Sequence, residues 1–269
     1  MKRKIVNLLL GTMVTAALVM TGCGEKKTEE TAAVTESSES ATVATEEVEE
    51  IKEEETEEVT EESTEAEADA LFKEGEAYLR GKDGAEPDYV KAMECFENAA
   101  NLGNTEAMYY LGGMYMSGAG VTTDYAKARE YFEQAADAGN VDGLFGLALI
   151  YREGEGVDVD MAKAMEYYQQ AADAGSEKAM FNLGVMYQNG SDYGIESDYA
   201  KAMEYYKQAA DAGNTNAMVN ISMMYFNGMG VDVDYNEALK WTMMAKEHGM
   251  TGLDENIEML KSLGATYNE

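Results

Sequence analysis

The sequence predicts an all-α fold, an α-solenoid of antiparallel helix pairs, and two features predict it. The first is self-similarity. Gly103, Gly139, Gly175, Gly213 and Gly249 are spaced 36, 36, 38 and 36 residues apart, and Asp88, Asp124, Asp160, Asp198 and Asp234 keep the same intervals. A period in this range marks a stacked array. The second is that each interval holds two segments with one apolar face at helical spacing, bounded by residues that start or stop helices. A two-helix unit cannot bury both faces alone, so neighbours must stack. Ahead of the array the chain reads as a signal peptide and a disordered acidic linker.

Residues 1–22 have the layout of a lipoprotein signal peptide. Lys2, Arg3 and Lys4 precede the almost wholly apolar or small run from Ile5 to Met20. A cationic start, a short apolar stretch and a small-residue exit make a secretory signal. The run falls short of the roughly 20 residues that span a bilayer. It ends in Met20-Thr21-Gly22-Cys23, which resembles the bacterial lipobox, with Met where Leu is commoner. The resemblance implies that Cys23 receives a diacylglycerol and becomes the first residue of the mature chain. Two acyl chains suffice for stable anchoring. The chain is then expected at a bacterial cell membrane, lipid-anchored and facing the extracytoplasmic side. The other reading is an uncleaved anchor helix with an incidental cysteine, which also holds the chain at a membrane.

Residues 23–67 comprise that cysteine and a Glu/Thr/Ser-rich linker. Between Glu25 and Asp69 stand 19 acids and three lysines, with few apolar residues among them. Such a segment cannot bury enough surface to offset its ordering entropy, so disorder is expected. A helix over Glu46–Glu67 is the competing reading, opposed by like charges at i,i+4 such as Glu50/Glu54 and Glu54/Glu58. The linker's expected role is to hold the following domain off the membrane.

The array occupies 68–252, as five units at about 68–104, 105–140, 141–176, 177–214 and 215–250. In the second unit Ala107, Met108, Leu111, Gly112 and Tyr115 give helix A one apolar face. Gly118 and Gly120 fit a turn needing positive φ, and Asp124 stands where an N-cap is needed. Helix B follows with Ala128, Tyr131, Phe132 and Ala135, and stops at Gly139, a C′ glycine. Asn140 can cap the next helix A. The fourth unit has a turn two residues longer, through Ser191-Asp192-Tyr193-Gly194, and the first replaces the Gly-x-Gly-Val turn with Gly81 to Pro87. Leu253, Ile257, Leu260 and Leu263 give 253–269 a C-terminal capping helix and tail.

The repeated pattern is A-x3-L-G-x2-Y-x2-G-x-G-V-x2-D-x2-K-A-x2-Y-Y-x2-A-A-x2-G. It resembles the Sel-one-like repeat, a relative of the tetratricopeptide repeat. The second unit carries Leu111-Gly112, Tyr115, Gly118, Gly120-Val121, Asp124, Lys127-Ala128, Ala135-Ala136 and Gly139. The third matches with Ala148 in place of the helix A glycine, and the fifth drifts to Ile221-Ser222, Glu237-Ala238 and Trp241. By tetratricopeptide analogy helix A lines a concave face, and residues two before the Leu of Leu-Gly point inward. These are Phe72, Tyr109, Phe145, Phe181 and Val219. One turn on lie Glu76, Gly113, Leu149, Val185 and Met223, and a further turn on Leu79, Met116, Arg152, Gln188 and Phe226. Two readings stand: packing between adjacent A helices, or an aromatic-lined peptide groove.

The composition narrows the function. With 52 Asp+Glu against 20 Lys+Arg the formal charge is −32, and such a polyanion is repelled by nucleic-acid phosphates. One His and two Cys build neither a zinc cluster nor a disulfide framework. The Gly-x-Gly turns lack the strand and the Gly-Lys-Ser/Thr of a phosphate loop. Asp158-Val-Asp160 and Asp232-Val-Asp234 lack the glycine and glutamate of a calcium loop. His248 sits at a helix end, where a cation suits the dipole, and has no identifiable Ser or Cys partner. Cys95, in the slot of Tyr131, Tyr167, Tyr205 and Trp241, reads as a small buried hydrophobe. Some exported Sel-one-like relatives are cysteine-rich and have been assigned a penicillin-binding or β-lactamase activity. The paired cysteines and Ser-x-x-Lys are missing here, so that activity does not carry over. The sequence thus reads as a membrane-anchored, surface-exposed scaffold for a protein or peptide partner, not an enzyme, with no cofactor beyond the lipid on Cys23. The alternatives are a spacer or regulatory envelope lipoprotein acting through its acidic tether, and a cell-envelope hydrolase.

Overall fold

The computed structural model describes residues 61–81 and 85–267. The signal segment, Cys23 and the linker up to residue 60 lie outside the described residues. The rest is all α, as antiparallel pairs in sequence order. The A helices are α1 (Glu61–Arg80), α3 (Thr105–Ser117), α5 (Val141–Glu153), α7 (Glu177–Gln188) and α9 (Thr215–Asn227). The B helices are α2 (Tyr89–Asn101), α4 (Tyr125–Asp137), α6 (Met161–Asp173), α8 (Tyr199–Asp211) and α10 (Tyr235–Glu247). A last helix, α11 (Asp254–Ser262), packs on α10 and closes the array. Among the described residues no helix is long and apolar enough to cross a membrane.

Each unit is joined to the next by one residue with two duties. At the end of α4, Gly139 takes φ 87° and its N–H bonds the Ala136 carbonyl at 2.9 Å, while the Asn140 N–H bonds that of Ala135 at 2.8 Å. This is a Schellman closure, and the φ is one that glycine adopts without a Cβ penalty. Asn140 then opens α5, its Oδ1 accepting the Gly143 N–H at 3.0 Å. Asn104, Ser176 and Asn214 cap α3, α7 and α9 in the same way. The B helices start on Asp88, Asp124, Asp160, Asp198 and Asp234, whose carboxylates accept first-turn N–H groups at 2.8–3.1 Å.

Packing follows from small residues where helices approach and rings where they splay. Ala107, Ala128 and Ala135 are fully buried, and Leu111 fills the space between them. Burying such a leucine stabilises by about 1.5–3 kcal/mol. The glycine of Leu-Gly is required by its partner: a Cβ on Gly112 would lie 2.5 Å from the Phe132 ring. On the outer side Tyr115 stacks on Tyr131, Tyr151 on Tyr167 and Tyr187 on Tyr205, with centroids 5.6–5.7 Å apart. Lys127, Lys163 and Lys201 lie over those first rings at 4.8–5.0 Å, each a cation–π contact.

Three details differ from the sequence reading. Residues 61–67, assigned to the disordered linker, are helical in α1. They extend a helix already nucleated by its buried face, where each added residue gains a hydrogen bond without nucleation cost. The longer fourth turn forms a 3-10 segment, Gly190–Tyr193. Cys95 is half-buried rather than fully buried. Burial, then Glu74 and Glu94, hold its thiol above the ordinary range.

Candidate functional site

The first row of A-helix side chains meets the B helices of its own repeats. Phe72 faces Phe96, Tyr109 faces Phe132, Phe145 faces Tyr168 and Phe181 faces Tyr206, with centroids 5.6–5.8 Å apart. The four B rings are buried, whereas the four A rings are half-buried. Each A ring therefore rests on a core ring and keeps part of its surface open. Val219 is half-buried too, but faces no B ring. Thr242 stands there instead and shares a 2.8 Å hydrogen bond with Ser222.

The other rows are less uniform. Leu149 and Val185 are half-buried, and nothing lies within 4 Å of a Cβ built on Gly113. Met223 is corrected from a lining residue to a buried one: it is 6% exposed. In the third row Leu79 and Met116 pack on the core around Phe96 and Phe132. Arg152 and Gln188 have structural partners. Arg152 Nη1 donates to the Tyr168 hydroxyl and to Asn182 Oδ1, both at 3.0 Å, and its other nitrogens bind Glu153. Tyr206 donates to Gln188 Oε1 at 2.9 Å. Burial pushes the Tyr168 and Tyr206 phenols well above the ordinary range, so both stay neutral and need these partners. Phe226 pairs with Tyr235 of α10 at 5.6 Å.

α3 touches α5, and among the described residues no two B helices come into comparable contact. Asn104 Nδ2 bonds Asp69 at 3.0 Å and Lys178 Nζ bonds Asp142 at 3.1 Å, bridging successive repeats.

The sequence reading missed Tyr110. It is half-buried beside Tyr109 and Phe72, with its hydroxyl 3.3 Å from Glu76 Oε1. No other repeat has an aromatic at this position, so periodicity gave no signal. Elsewhere, a polar cleft of about 270 Å³ lies between α2 and α4, lined by Glu97, Asn101, Lys127, Glu130, Tyr131 and Gln134. Among the described residues no three His, Cys, Asp or Glu side chains gather as a metal site. His248 is exposed and its Nδ1 lies 2.9 Å from the Met244 carbonyl, at the end of α10.

The geometry agrees with comparisons to known proteins. The Sel1 repeat family model matches residues 68–104, 105–140, 141–176, 177–214 and 215–250. Among solved structures, a protective antigen of uropathogenic Escherichia coli with an SLR fold is 30% identical at a TM-score of 0.64, over 78% of this chain and 46% of that one. This chain thus spans less than half the length of that antigen. A Sel1 repeat protein of Oxalobacter formigenes is 24% identical at a TM-score of 0.62, over 73% of this chain and 86% of its own. An immunity protein of Pseudomonas aeruginosa is 20% identical at a TM-score of 0.50, over 73% of this chain and 80% of its own; the last two resemblances show the fold alone. No curated protein matches the chain at a significant level. With five matched units on five observed helix pairs, the chain belongs to the Sel1 repeat family, a generally non-catalytic scaffold typical of protein binding.

Proposed function

We propose that this protein is a non-catalytic scaffold that binds a protein or peptide along the face of its A helices. We further propose that a lipid on Cys23 holds it at the extracytoplasmic side of a bacterial membrane. The observation that carries the binding reading is the row Phe72, Tyr109, Phe145 and Phe181, one half-buried ring per repeat. A periodic line of partly open aromatic surface on a strongly charged protein is the pattern of an interaction site. The lipobox-like Met20-Thr21-Gly22-Cys23 supports the anchor, and a protective antigen among the relatives accords with an outward-facing position.

The test is crosslinking capture from the bacterial envelope with the full chain and with a Phe145→Ala/Phe181→Ala variant. A discrete partner held by the parent and lost by the variant is expected, at a cost of roughly 2 kcal/mol or more if these rings are hot spots. Equal capture by both would reduce the row to packing. For the anchor, Cys23→Ser should abolish labelled-palmitate incorporation, and undiminished labelling would remove the lipoprotein reading.

A further inference from the structure

On α1 and α3, three half-buried rings stand nearly at right angles in successive pairs. Phe72 and Tyr110 lie 5.3 Å apart at 79°, and Tyr110 and Tyr109 lie 5.9 Å apart at 89°. Two carboxylates share this corner. Glu76 reaches the Tyr110 hydroxyl at 3.3 Å, and Asp142 stands in the first turn of α5, the helix that touches α3, with its charge felt by both tyrosines. Burial first, then Asp142 at Tyr109 and Glu76 at Tyr110, hold both phenols above their ordinary range, so the rings remain neutral.

Resting on the reading of the A-helix face as a binding surface, we propose that this corner seats the guanidinium or ammonium group of a basic segment in a partner protein. Phe72, Tyr109 and Tyr110 offer the ring surfaces, and Glu76 and Asp142 the counter-charges. A cation gains from the ring quadrupole and from the two carboxylates, Glu76 the more sheltered and Asp142, 43% exposed, the less. The present partners of those carboxylates sit on the solvent side. Arg80 pairs with Glu76 and is 70% exposed, and Lys178 pairs with Asp142 and is 49% exposed. Exposed ion pairs of this kind are weak and exchange readily for an incoming cation. Glu76 itself is only 20% exposed, so its charge faces the corner more than bulk water.

Charge also decides between occupants. A second copy of a chain at −32 would be repelled, and so would the acidic run from Glu25. A partner segment alternating Lys or Arg with apolar anchors is drawn in by the same long-range field. Its anchors would continue along Phe145 and Phe181.

The experiment pans a random peptide library displayed on phage against the full chain, then measures the enriched peptides by fluorescence anisotropy at low and high salt. Basic, apolar-anchored peptides should be enriched. Their affinity should fall about tenfold in Glu76→Gln/Asp142→Asn, the order expected when paired counter-charges are removed. It should rise in Arg80→Ala/Lys178→Ala, which frees the two carboxylates. Melting curves confirm that each variant is folded, and the acidic run is the same in all of them. Neutral or acidic enriched peptides, or basic ones indifferent to the Glu76/Asp142 variant, overturn the seat. If those same peptides are lost with Phe145→Ala/Phe181→Ala, the binding surface stands and only the cation seat fails. No enrichment at all fails both.

Discussion

Tyr206 donates its phenolic hydrogen to Gln188 Oε1, and this pair is one of four in which helix A matches the chemistry of the B ring. Phe96 is accompanied by Leu79 and Phe132 by Met116, while the hydroxyl of Tyr168 is met by Arg152. A buried hydroxyl needs a partner and a buried phenyl edge does not. Tyr206→Phe should therefore cost about 1–2 kcal/mol, by leaving the Gln188 amide short of a partner. Tyr206→Phe with Gln188→Met imports the apolar pairing of the second repeat and should recover most of that loss. Urea denaturation of the two single variants and the double gives the coupling; simple additivity would mean that the pair does not act as a unit.

Two adjacent glycines in α3 should respond in opposite directions. A Cβ on Gly112 meets the Phe132 ring at 2.5 Å, and that ring is 1% exposed with little room to yield. Gly112→Ala is expected to destabilise by about 1–3 kcal/mol through overpacking. Gly113 has nothing within 4 Å, so Gly113→Ala should stabilise by roughly 0.5–1 kcal/mol, the helix-propensity difference. Thermal melts resolve the signs, and a shared sign would contradict the packing described for this helix.

Asp88 supplies a pH dependence. Its carboxyl is held below the ordinary 3.8 by the Lys91 backbone N–H first, then by hydrogen bonding to the Lys91 side chain. The folded protein thus takes up this proton less readily than the unfolded chain. The cap's contribution is complete above the unfolded value and is lost as pH falls through the lowered folded one. Relative to the parent, Asp88→Asn should be less stable at neutral pH and should converge with it in acid. Carbon-detected NMR titration of Asp88 should give a midpoint below 3.8. A deficit unchanged by pH would assign the cap to hydrogen-bond geometry alone.

The fold was legible because its determinants repeat. Gly139, Asn140 and Asp124 act locally, through φ preference and side-chain caps, and five copies of the glycine and the aspartate with four of the Asn or Ser cap leave little room for another reading. The candidate site was legible only in its first row. Phe145 and Phe181 follow the period, but Tyr110 occurs once and left no periodic trace. Arg152 and Gln188 look like groove residues by spacing. Their role depends on whether a Phe or a Tyr stands 16 or 18 residues later on the B helix, a pairing that single-row reasoning does not see. Met223 follows the lining period by spacing and is buried all the same.

Core and face should separate by mutation within one helix. Leu147 is 2% exposed and Leu183 1%, so Leu147→Ala or Leu183→Ala should cost about 2–5 kcal/mol through lost burial and the cavity left behind. Phe145 and Phe181 keep part of their surface in water, pack on the edge of the core and each make one ring pair with it. Truncating either gives up that pair, about 0.5–1.5 kcal/mol, with a fraction of the burial, and should lower the melting midpoint less than its leucine neighbour does. Binding should show the reverse order once the folded fraction is matched by temperature. If the phenylalanine variants destabilise as much as the leucine variants and leave capture untouched, each A ring belongs wholly to the seam with Tyr168 or Tyr206, and the open side of the row has no binding role.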